Sequence, residues 1–582
     1  MFFFPTVFPK AWPRVYTRAA RVDFVYFVVL VSSLIFVHEL GHFVVAKLFG
    51  VKVLTFSIGF GPKLLRLRGR ETEYCVGLFP FGGFVRMLES SKSDMPVLPE
   101  EATRTFEAQA LPKRVAIVLA GPAMNLLFPL LLYTTVYMED RTLPPAVIGS
   151  VEAGMPADGQ LLPDDVLVSV GGEEVRSFTD AQAIIAKGGG RALRFDVLRE
   201  GRPLEIVVTP VSEWHALGPR ALDLGEQIGK IGVSPRFLAP VIGIKKTDSP
   251  AYRAGLRTFD RITAVNGRRI ERMTELVQVL SQNRGDAMVV SYSRPVAAEA
   301  LGQVAEVALP DSGVVTLTPL PLEGDNKPAD YVARSKDVEA RTGIETSELY
   351  VAQVPAGSSE WQAGLRPGDR LESVDGDAVR SLRDAETKLV RNKPGEVVGA
   401  LSPHELAWTR DGELVRGVLS IARLKVTPYA PRADQVRVEN TKLVRYAVAR
   451  GWNQTAFAVK FVAVGVVRVL QGKISLAYVT GPLGLVDVAG EAGRLGPTSF
   501  LWVMGLISVN LGLVNLLPIP VLDGGMLLLL LLESIRRKPF SLRVREVLSL
   551  AGVGLMMALM LVAFGNDLRH RIGGEPRPML DP

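Results

Sequence analysis

Cysteine is almost missing from this chain. A single one, Cys75, occurs in 582 residues, which excludes an intrachain disulfide framework in any compartment and leaves Cys75 to read as a small packing residue. Charge of one sign is also scarce. There are 67 Lys and Arg against 60 Asp and Glu, a formal +7, and no basic stripe interleaved with aromatics offers a surface to nucleic acid. Long apolar runs do not fill the chain either. Charged residues make up 22% beside 48% hydrophobic ones, so a few membrane spans with a large water-exposed region fit better than a bundle of spans from end to end. The opening Met1-Phe2-Phe3-Phe4-Pro5 is apolar but too short for a cleavable secretory leader, and no small-residue cleavage site follows it. The first long apolar segment is therefore expected to act as an uncleaved anchor. Several domains are expected at this length.

Four segments are apolar enough to read as spans: about 22–48, 115–138, 500–522 and 547–564. A fifth, 456–470, is short and carries Lys460 and Arg468, so it reads as an interfacial or amphipathic helix. Basic residues set the orientation. The loop between the first two spans holds eleven, from Lys47 to Arg114, and the loop between the last two holds Arg536, Arg537, Lys538, Arg543 and Arg545. Both loops are expected on the cytoplasmic side, with the long middle region and both termini outside. The N-terminal flank, with Lys10, Arg14, Arg18 and Arg21, pulls the other way but is outnumbered.

Two of only five histidines stand in the first span, as His38-Glu39-Leu40-Gly41-His42. On a helix, residues i and i+4 share a face, which is the spacing two imidazoles need to grip one Zn²⁺, with the intervening Glu placed to act on water. A strongly charged side chain at the centre of a membrane helix costs roughly 2.5–3.5 kcal/mol, a cost seldom kept without a function. A chance match in a core helix is the bland alternative. Two imidazoles need a third protein ligand and an open position for a catalytic site. His215, His404 and His570 lie outside the spans. The better candidate is Asp523, in Asn515-Leu516-Leu517-Pro518-Ile519-Pro520-Val521-Leu522-Asp523-Gly524-Gly525. Two prolines break the helix there, and broken helix at membrane depth is tolerated where it lines a buried or hydrated cavity. Otherwise Asp523 merely caps the following helix.

The middle region, about 144–428, contains a threefold repeat. Asp165, Asp260 and Asp369 each precede a Gly by seven residues (Gly172, Gly267, Gly376), with an apolar alternation between. That pattern reads as a strand entering a tight turn. The spacing of about a hundred residues makes each unit a small domain rather than a solenoid repeat. A helical stretch follows each turn, at 179–185, 273–281 and 382–390. Gly255-Leu256…Asn266-Gly267 and Gly364-Leu365…Asp375-Gly376 resemble the corresponding segment of PDZ domains. In the first copy Gln160 stands where the Gly would be.

Taken together, His38–His42 in the first span, Leu522-Asp523-Gly524-Gly525 after the third and PDZ-like units between them resemble the site-2 protease family, in particular its bacterial RseP-type members. Further similar stretches are Phe56-Ser57-Ile58-Gly59-Phe60-Gly61-Pro62, Leu78-Phe79-Pro80-Phe81-Gly82-Gly83-Phe84-Val85-Arg86-Met87, Gly121-Pro122-Ala123-Met124-Asn125, Gly481-Pro482-Leu483-Gly484 and Ser508-Val509-Asn510-Leu511-Gly512. Three PDZ-like units stand where well-known members have two, and Met526 where many have His. The resemblance implies that His38, His42 and Asp523 bind Zn²⁺ and that Glu39 is the general base and acid. It also implies that Asn510 and Asn515 line the substrate cleft. The segment Val51 to Met87, with Gly59 and Gly61 among its substrate-binding residues, would dip into the membrane and offer a strand edge to the substrate, which suits proteolysis because the cut peptide must be extended.

The expected architecture is thus a polytopic α-helical membrane protein of about four transmembrane helices with inserted β-rich PDZ-like domains. The division expected is 1–140 for the N-terminal membrane half, 141–225, 226–325 and 326–430 for the PDZ-like units, and 431–582 for the C-terminal membrane half. The expected activity is intramembrane zinc endopeptidase. Its partners would be single-span membrane proteins, such as an anti-sigma factor or a remnant signal peptide, and the lipid bilayer. The resemblance places the enzyme in a bacterial inner membrane with its site toward the cytoplasm and the PDZ-like region periplasmic, where three bulky units would exclude substrates that keep a large outer domain. A catalytically silent PDZ scaffold is the alternative, and a metal transporter a weaker one; the presence of Glu39 beside both histidines favours hydrolysis.

Overall fold

The computed structural model describes residues 2–3, 19–89, 98–216, 225–295, 311–322, 330–390, 403–419, 424, 427–428, 431–433, 437–474, 479–538 and 540–572. Of the basic residues used for orientation, Lys10, Arg14, Arg18 and Lys92 lie outside them. The chain divides into two compact units. One comprises Met1–Arg141, Ala216–Glu226 and Asn440–Pro582, the other Thr142–His215 and Gln227–Glu439.

Among the described residues of the first unit, five helices are long and apolar enough to cross a membrane: Val22–Leu48, Leu111–Tyr137, Leu443–Leu470, Pro497–Asn515 and Arg543–Arg569. The sequence leads one to expect four. The addition is Leu443–Leu470, which begins well upstream of the 456–470 stretch; its exposed Lys460 lies off the face that buries Ala458, Phe461 and Val462. The segment read as 500–522 ends its helix at Asn515. Pro518 and Pro520 supply no backbone N–H, so the helix cannot run through them. The chain turns with Val521 at φ +95° and restarts as the helix Asp523–Arg536.

The first two helices, α1 (Ala19–Leu48) and α2 (Leu111–Tyr137), organise the rest of this unit. Three apolar clusters meet on α2. Leu132 packs with Phe27, Leu30 and Leu34 of α1 and with Leu485 and Ala489. Tyr133 packs with Phe461, Val462 and Val509, and Ile117 with Ala46, Val53 and Leu530. Lipid tails are as apolar as these side chains, so the helices are held by close packing rather than by exclusion of water. Gly41 shows how close: a Cβ there would come 2.3 Å from the carbonyl oxygen of Ala120. The helix Leu542–Ile572 leaves Val547, Leu550 and Leu561 exposed, as lipid-facing residues should be. It is tied in by Asp567, whose carboxylate accepts the N–H groups of Gly481 (3.2 Å) and Gly484 (2.9 Å) at the start of the helix Pro482–Leu495, where the helix dipole favours a negative charge.

Between α1 and α2 lie two long bent strands, Val53–Arg68 and Glu73–Met87, paired antiparallel with several irregularities. Their register makes a four-ribbon sheet. Thr55 to Ile58 pair on one side with Gly83 to Arg86 and on the other with Glu73 to Val76, which in turn pair with Leu65 to Arg68. Phe56 and Tyr74 meet Phe43 of α1 with ring centroids 5.2 and 6.0 Å away, fixing the sheet to that helix. Cys75 is buried in it.

The second unit repeats one plan three times. Each copy is a four-stranded sheet: Glu173–Glu174, Val166–Val170, Leu193–Arg199 and Arg202–Val208 in spatial order, then the equivalent order from Arg268–Arg269 and again from Asp377–Ala378. Each has a helix after its tight turn, Phe178–Lys187, Met273–Gln282 and Leu382–Val390, and a separate apolar core. The turns have two successive positive φ angles, at Gly171 and Gly172, Asn266 and Gly267, and Asp375 and Gly376. That is the two-residue geometry that fits the twist of a hairpin. In each copy a late strand returns to an early one: Val233–Ser234 to Ser150–Val151, Ile344–Thr346 to Ile242–Ile244, and Thr427–Pro428 to Val351–Gln353. By strand pairing the first two copies thus run past 225 and 325, the boundaries expected from sequence.

The repeated aspartates explain the repeated motif. Asp165, Asp260 and Asp369 are 0–1% exposed. Each accepts one backbone N–H, from Leu162, Arg257 or Arg366, and a two-pronged contact from Arg199, Arg294 or Arg410 at 2.7–2.8 Å. The same arginine donates to the carbonyl of Gln160, Gly255 or Gly364. Gly255 and Gly364 have φ of +103° and +102°, a backbone that favours glycine, whereas Gln160 has no positive φ and so can supply the same carbonyl in the first copy. Arg294→Ala should leave Asp260 buried and unpaired. A loss of roughly 3 kcal/mol is expected, at the low end for a buried pair because the arginine is partly exposed. Arg269 pairs with Glu271 at 3.0 Å on the open surface, and Arg269→Ala should cost under about 1 kcal/mol. Urea-dependent proteolysis of the second copy in the full chain measures both; equal midpoints would show that the buried pair does not hold the loop.

Candidate metal centre

His38 and His42 project from one face of α1 toward α2 and the start of the helix Asp523–Arg536. His38 Nε2 lies 3.2 Å from His42 Nε2 and 3.1 Å from Asp523 Oδ2, and His42 Nε2 lies 3.6 Å from that oxygen. This is the only group of three or more His, Cys, Asp or Glu among the described residues whose ligand atoms converge. Asp523 is the first residue of its helix, and the helix takes no side-chain cap from Leu522 before it. Its carboxylate is turned to the imidazoles instead of closing its own helix. Gly524 lets that first turn sit tight on the preceding loop, since a Cβ there would come 2.3 Å from the carbonyl oxygens of Leu516 and Leu517.

The donor set fits zinc. Four ligands about 2.0–2.1 Å from a tetrahedral Zn²⁺ stand about 3.3 Å from one another, and the three separations here, 3.1–3.6 Å, bracket that value. Two imidazole nitrogens and one carboxylate leave the fourth position open, the arrangement of a catalytic rather than a structural site. His42 Nδ1 lies 2.9 Å from the carbonyl oxygen of Ile117. A carbonyl only accepts, so Nδ1 carries the proton and the Nε2 lone pair faces the cluster.

The helix α2 lies close behind both rings. A Cβ on Gly121 would come 2.3 Å from His42 Nε2 and 2.8 Å from His38 Cε1. Glu39 is partly buried beside the ribbon that carries Val85: a Cβ on the neighbouring Gly83 would come 3.2 Å from Glu39 Cγ. Val85 belongs to the ribbon Gly83 to Arg86, whose other side pairs with Thr55 to Ile58. No further strand pairs with that ribbon among the described residues, so an open strand edge runs past Glu39.

The other expected site residues are more dispersed. Asn510, 1% exposed, and Asn515, partly exposed, lie in the last turns of the helix Pro497–Asn515. Gly59 and Gly61, both at φ +85°, sit where the first long strand bends, against Phe79 of its partner. His215 is exposed on the strand Val211–Ala216, and His404 is buried with its Nδ1 2.7 Å from Asp375 Oδ2 in the third repeat, a structural pairing. Sequence reasoning gave no role of their own to Ile117, Gly121 or Val85, although Val85 lies in the segment expected to offer a strand edge. Gly121 lies in a stretch noted for family likeness, but its use depends on how α2 is rotated against α1.

The model of peptidase family M50 matches residues 26–559. The regulator of sigma-E protease RseP of Escherichia coli is 27% identical over 550 residues, covering 94% of this chain and 98% of that one. Protease RseP of Yersinia pestis is 28% identical over 547 residues, 93% and 97% of the two chains. A protein of Neisseria meningitidis named as a candidate zinc metalloprotease is 28% identical over 550 residues, 94% and 99%.

The tightest steric demand of the site yields a test. Gly121→Ala should lower zinc affinity by at least about tenfold, because the rings must move off their ligand positions. Gly565→Ala, where a Cβ meets nothing within 4 Å, should leave it unchanged. Competition with a chromophoric chelator on purified protein reads both, and an undisturbed Gly121→Ala would mean that the helices separate freely here.

Proposed function

The chain belongs to peptidase family M50 and is a zinc metalloprotease of the site-2 type, and from that premise we propose that it hydrolyses peptide bonds within or beside the spans of single-span membrane proteins. One observation carries the proposal: the Asp523 donor atom converges with those of His38 and His42, which stand on a helix long and apolar enough to cross a bilayer, next to an open strand edge beside Glu39. A soluble peptidase has no reason to bury its polar groups at that depth.

In this reading His38, His42 and Asp523 hold the metal, which when bound supplies Lewis acidity at neutral pH. Glu39 takes the proton from the attacking water on a carboxylate oxygen and returns it to the leaving amine. The substrate, once unwound, lies as an added strand along Gly83 to Arg86, so that its freed backbone groups are satisfied by backbone rather than exposed to hydrocarbon. Asn510 and Asn515, and the bend at Gly59 and Gly61, contribute further contacts to that unwound segment. The basic loops support a site facing the cytoplasm of a bacterial inner membrane, with the three repeats on the outer side. Anti-sigma factors and remnant signal peptides are the substrate classes that suit such a site.

Glu39→Gln should retain one zinc per chain yet cleave a reconstituted single-span substrate at under a few per cent of the wild-type rate, because an amide cannot take the proton. The same variant should hold uncut substrate long enough for co-purification; turnover near wild type would remove Glu39 from the chemistry. Substrates with Gly, Pro, Ser or Asn in the span should be cut faster, since helix weakness lowers the cost of reaching the extended form. Replacing those residues with Leu, with insertion verified, should slow cleavage several-fold. Unchanged cleavage would contradict the unwinding step.

A further inference from the structure

Asn125 is completely buried on α2, one turn beyond Gly121 and two turns beyond Ile117. Its Nδ2 lies 3.3 Å from His38 Nδ1, while its Oδ1 is buried without a hydrogen-bond partner among the described residues. His38 Nε2 faces the cluster, 3.1 Å from Asp523 Oδ2. For that nitrogen to offer a lone pair, the ring proton must sit on Nδ1, and Nδ1–H then needs an acceptor. An NH₂ group cannot serve. A half-turn of the carboxamide exchanges Oδ1 and Nδ2 with no other heavy-atom movement, and the two are assigned from their surroundings rather than seen directly.

We propose that Asn125 is a positioning residue for the metal: its Oδ1 accepts the Nδ1–H of His38 and so fixes the tautomer and the ring orientation with which His38 binds zinc. The inference rests on the zinc reading above and extends it to a residue that touches neither metal nor substrate. The neighbouring histidine supplies the precedent within the same site. Ile117 does for His42, through its backbone carbonyl, what Asn125 does for His38 through its side chain. Ile117, Gly121 and Asn125 recur every four residues, so they form one stripe on α2 that runs past both rings. Asn125 is itself held in place: its backbone carbonyl accepts the hydroxyl of Ser508, fully buried on the helix Pro497–Asn515, at 2.8 Å.

The test compares Asn125→Leu, which keeps the approximate shape and removes the acceptor, with Asn125→Asp, which keeps an acceptor oxygen in the same place. Zinc affinity is measured by chelator competition on the full chain in detergent, and the ligand field by the visible absorption of the cobalt-substituted protein. Asn125→Leu should bind zinc about 10–100-fold more weakly, the usual loss when the hydrogen-bond partner of a ligating histidine is removed, with an altered cobalt spectrum. Asn125→Asp should bind at least as tightly as wild type with an unaltered spectrum. A purely packing role gives the opposite order, since leucine fits an apolar helix contact better than a carboxylate does. Wild-type affinity in Asn125→Leu, or weaker binding in Asn125→Asp than in Asn125→Leu, overturns the assignment. Should Asn125→Leu fail to fold, Asn125→Asp decides alone: retained affinity supports the role and a tenfold loss overturns it. Wild type and His38→Ala are measured alongside. If wild type binds no zinc that His38→Ala abolishes, the zinc reading itself fails; if it does and Asn125→Leu matches it, only the role of Asn125 fails.

Discussion

A bilayer has no water with which to satisfy a polar group, so every such group placed at membrane depth must find its partner within the protein. That constraint organises the first unit of this chain. Two imidazoles and a carboxylate stand on the apolar helix α1, and each has something specific beside it: the imidazoles Asp523 and groups on α2, Glu39 the ribbon Gly83 to Arg86. The central position of α2, shared by three apolar clusters, gives those partners a fixed address. Packing and polar satisfaction are thus the same arrangement viewed twice. The apolar residues of α2 hold the helices together, and the stripe between them faces the histidines.

What was legible in the sequence follows from the range of the interactions concerned. His38, Glu39 and His42 could be read because their relation is local, one turn of one helix. Asp523 could be read because two prolines advertise a break and a carboxylate at that depth needs a reason. Ile117, Gly121 and Asn125 could not be given roles, because whether a residue of α2 faces α1 depends on the rotation of one helix against another, which no local pattern records. The same limit applies to the span count. Lys460 and Arg468 dilute the hydropathy of Leu443–Leu470, and only its packed face shows that the helix continues upstream of 456. The break after Pro497–Asn515 was legible from Pro518 and Pro520, but the apolar run Leu516 to Leu522 carried the expected span on to 522.

The second unit shows the complementary case, a motif legible as a pattern before its cause was visible. The sevenfold spacing from Asp to Gly marks the distance from a buried carboxylate to a two-residue turn. The carboxylate itself is kept because one arginine fork and one backbone N–H saturate it. An isolated charge there would be intolerable; a saturated one orders the loop at its own site. The returning strands were not legible, since two- and three-residue pairings carry too little alternation to be seen in sequence.

The three side chains that converge at the candidate site come from opposite ends of the chain, and synthesis proceeds from one end only. At about 5–20 residues per second, some 480 residues separate the making of the histidines from that of Asp523, roughly 25–100 seconds. Throughout that interval a nascent chain carries two imidazoles and the Glu39 carboxyl group in or near lipid without Asp523. The partners on α2 follow the histidines by about 80 residues, within roughly 4–16 seconds at the same rate. The carbonyl of Ile117 and the carboxamide of Asn125 are therefore the first company those rings can keep, and a half-built site is sheltered by the helix that will later stand behind the finished one.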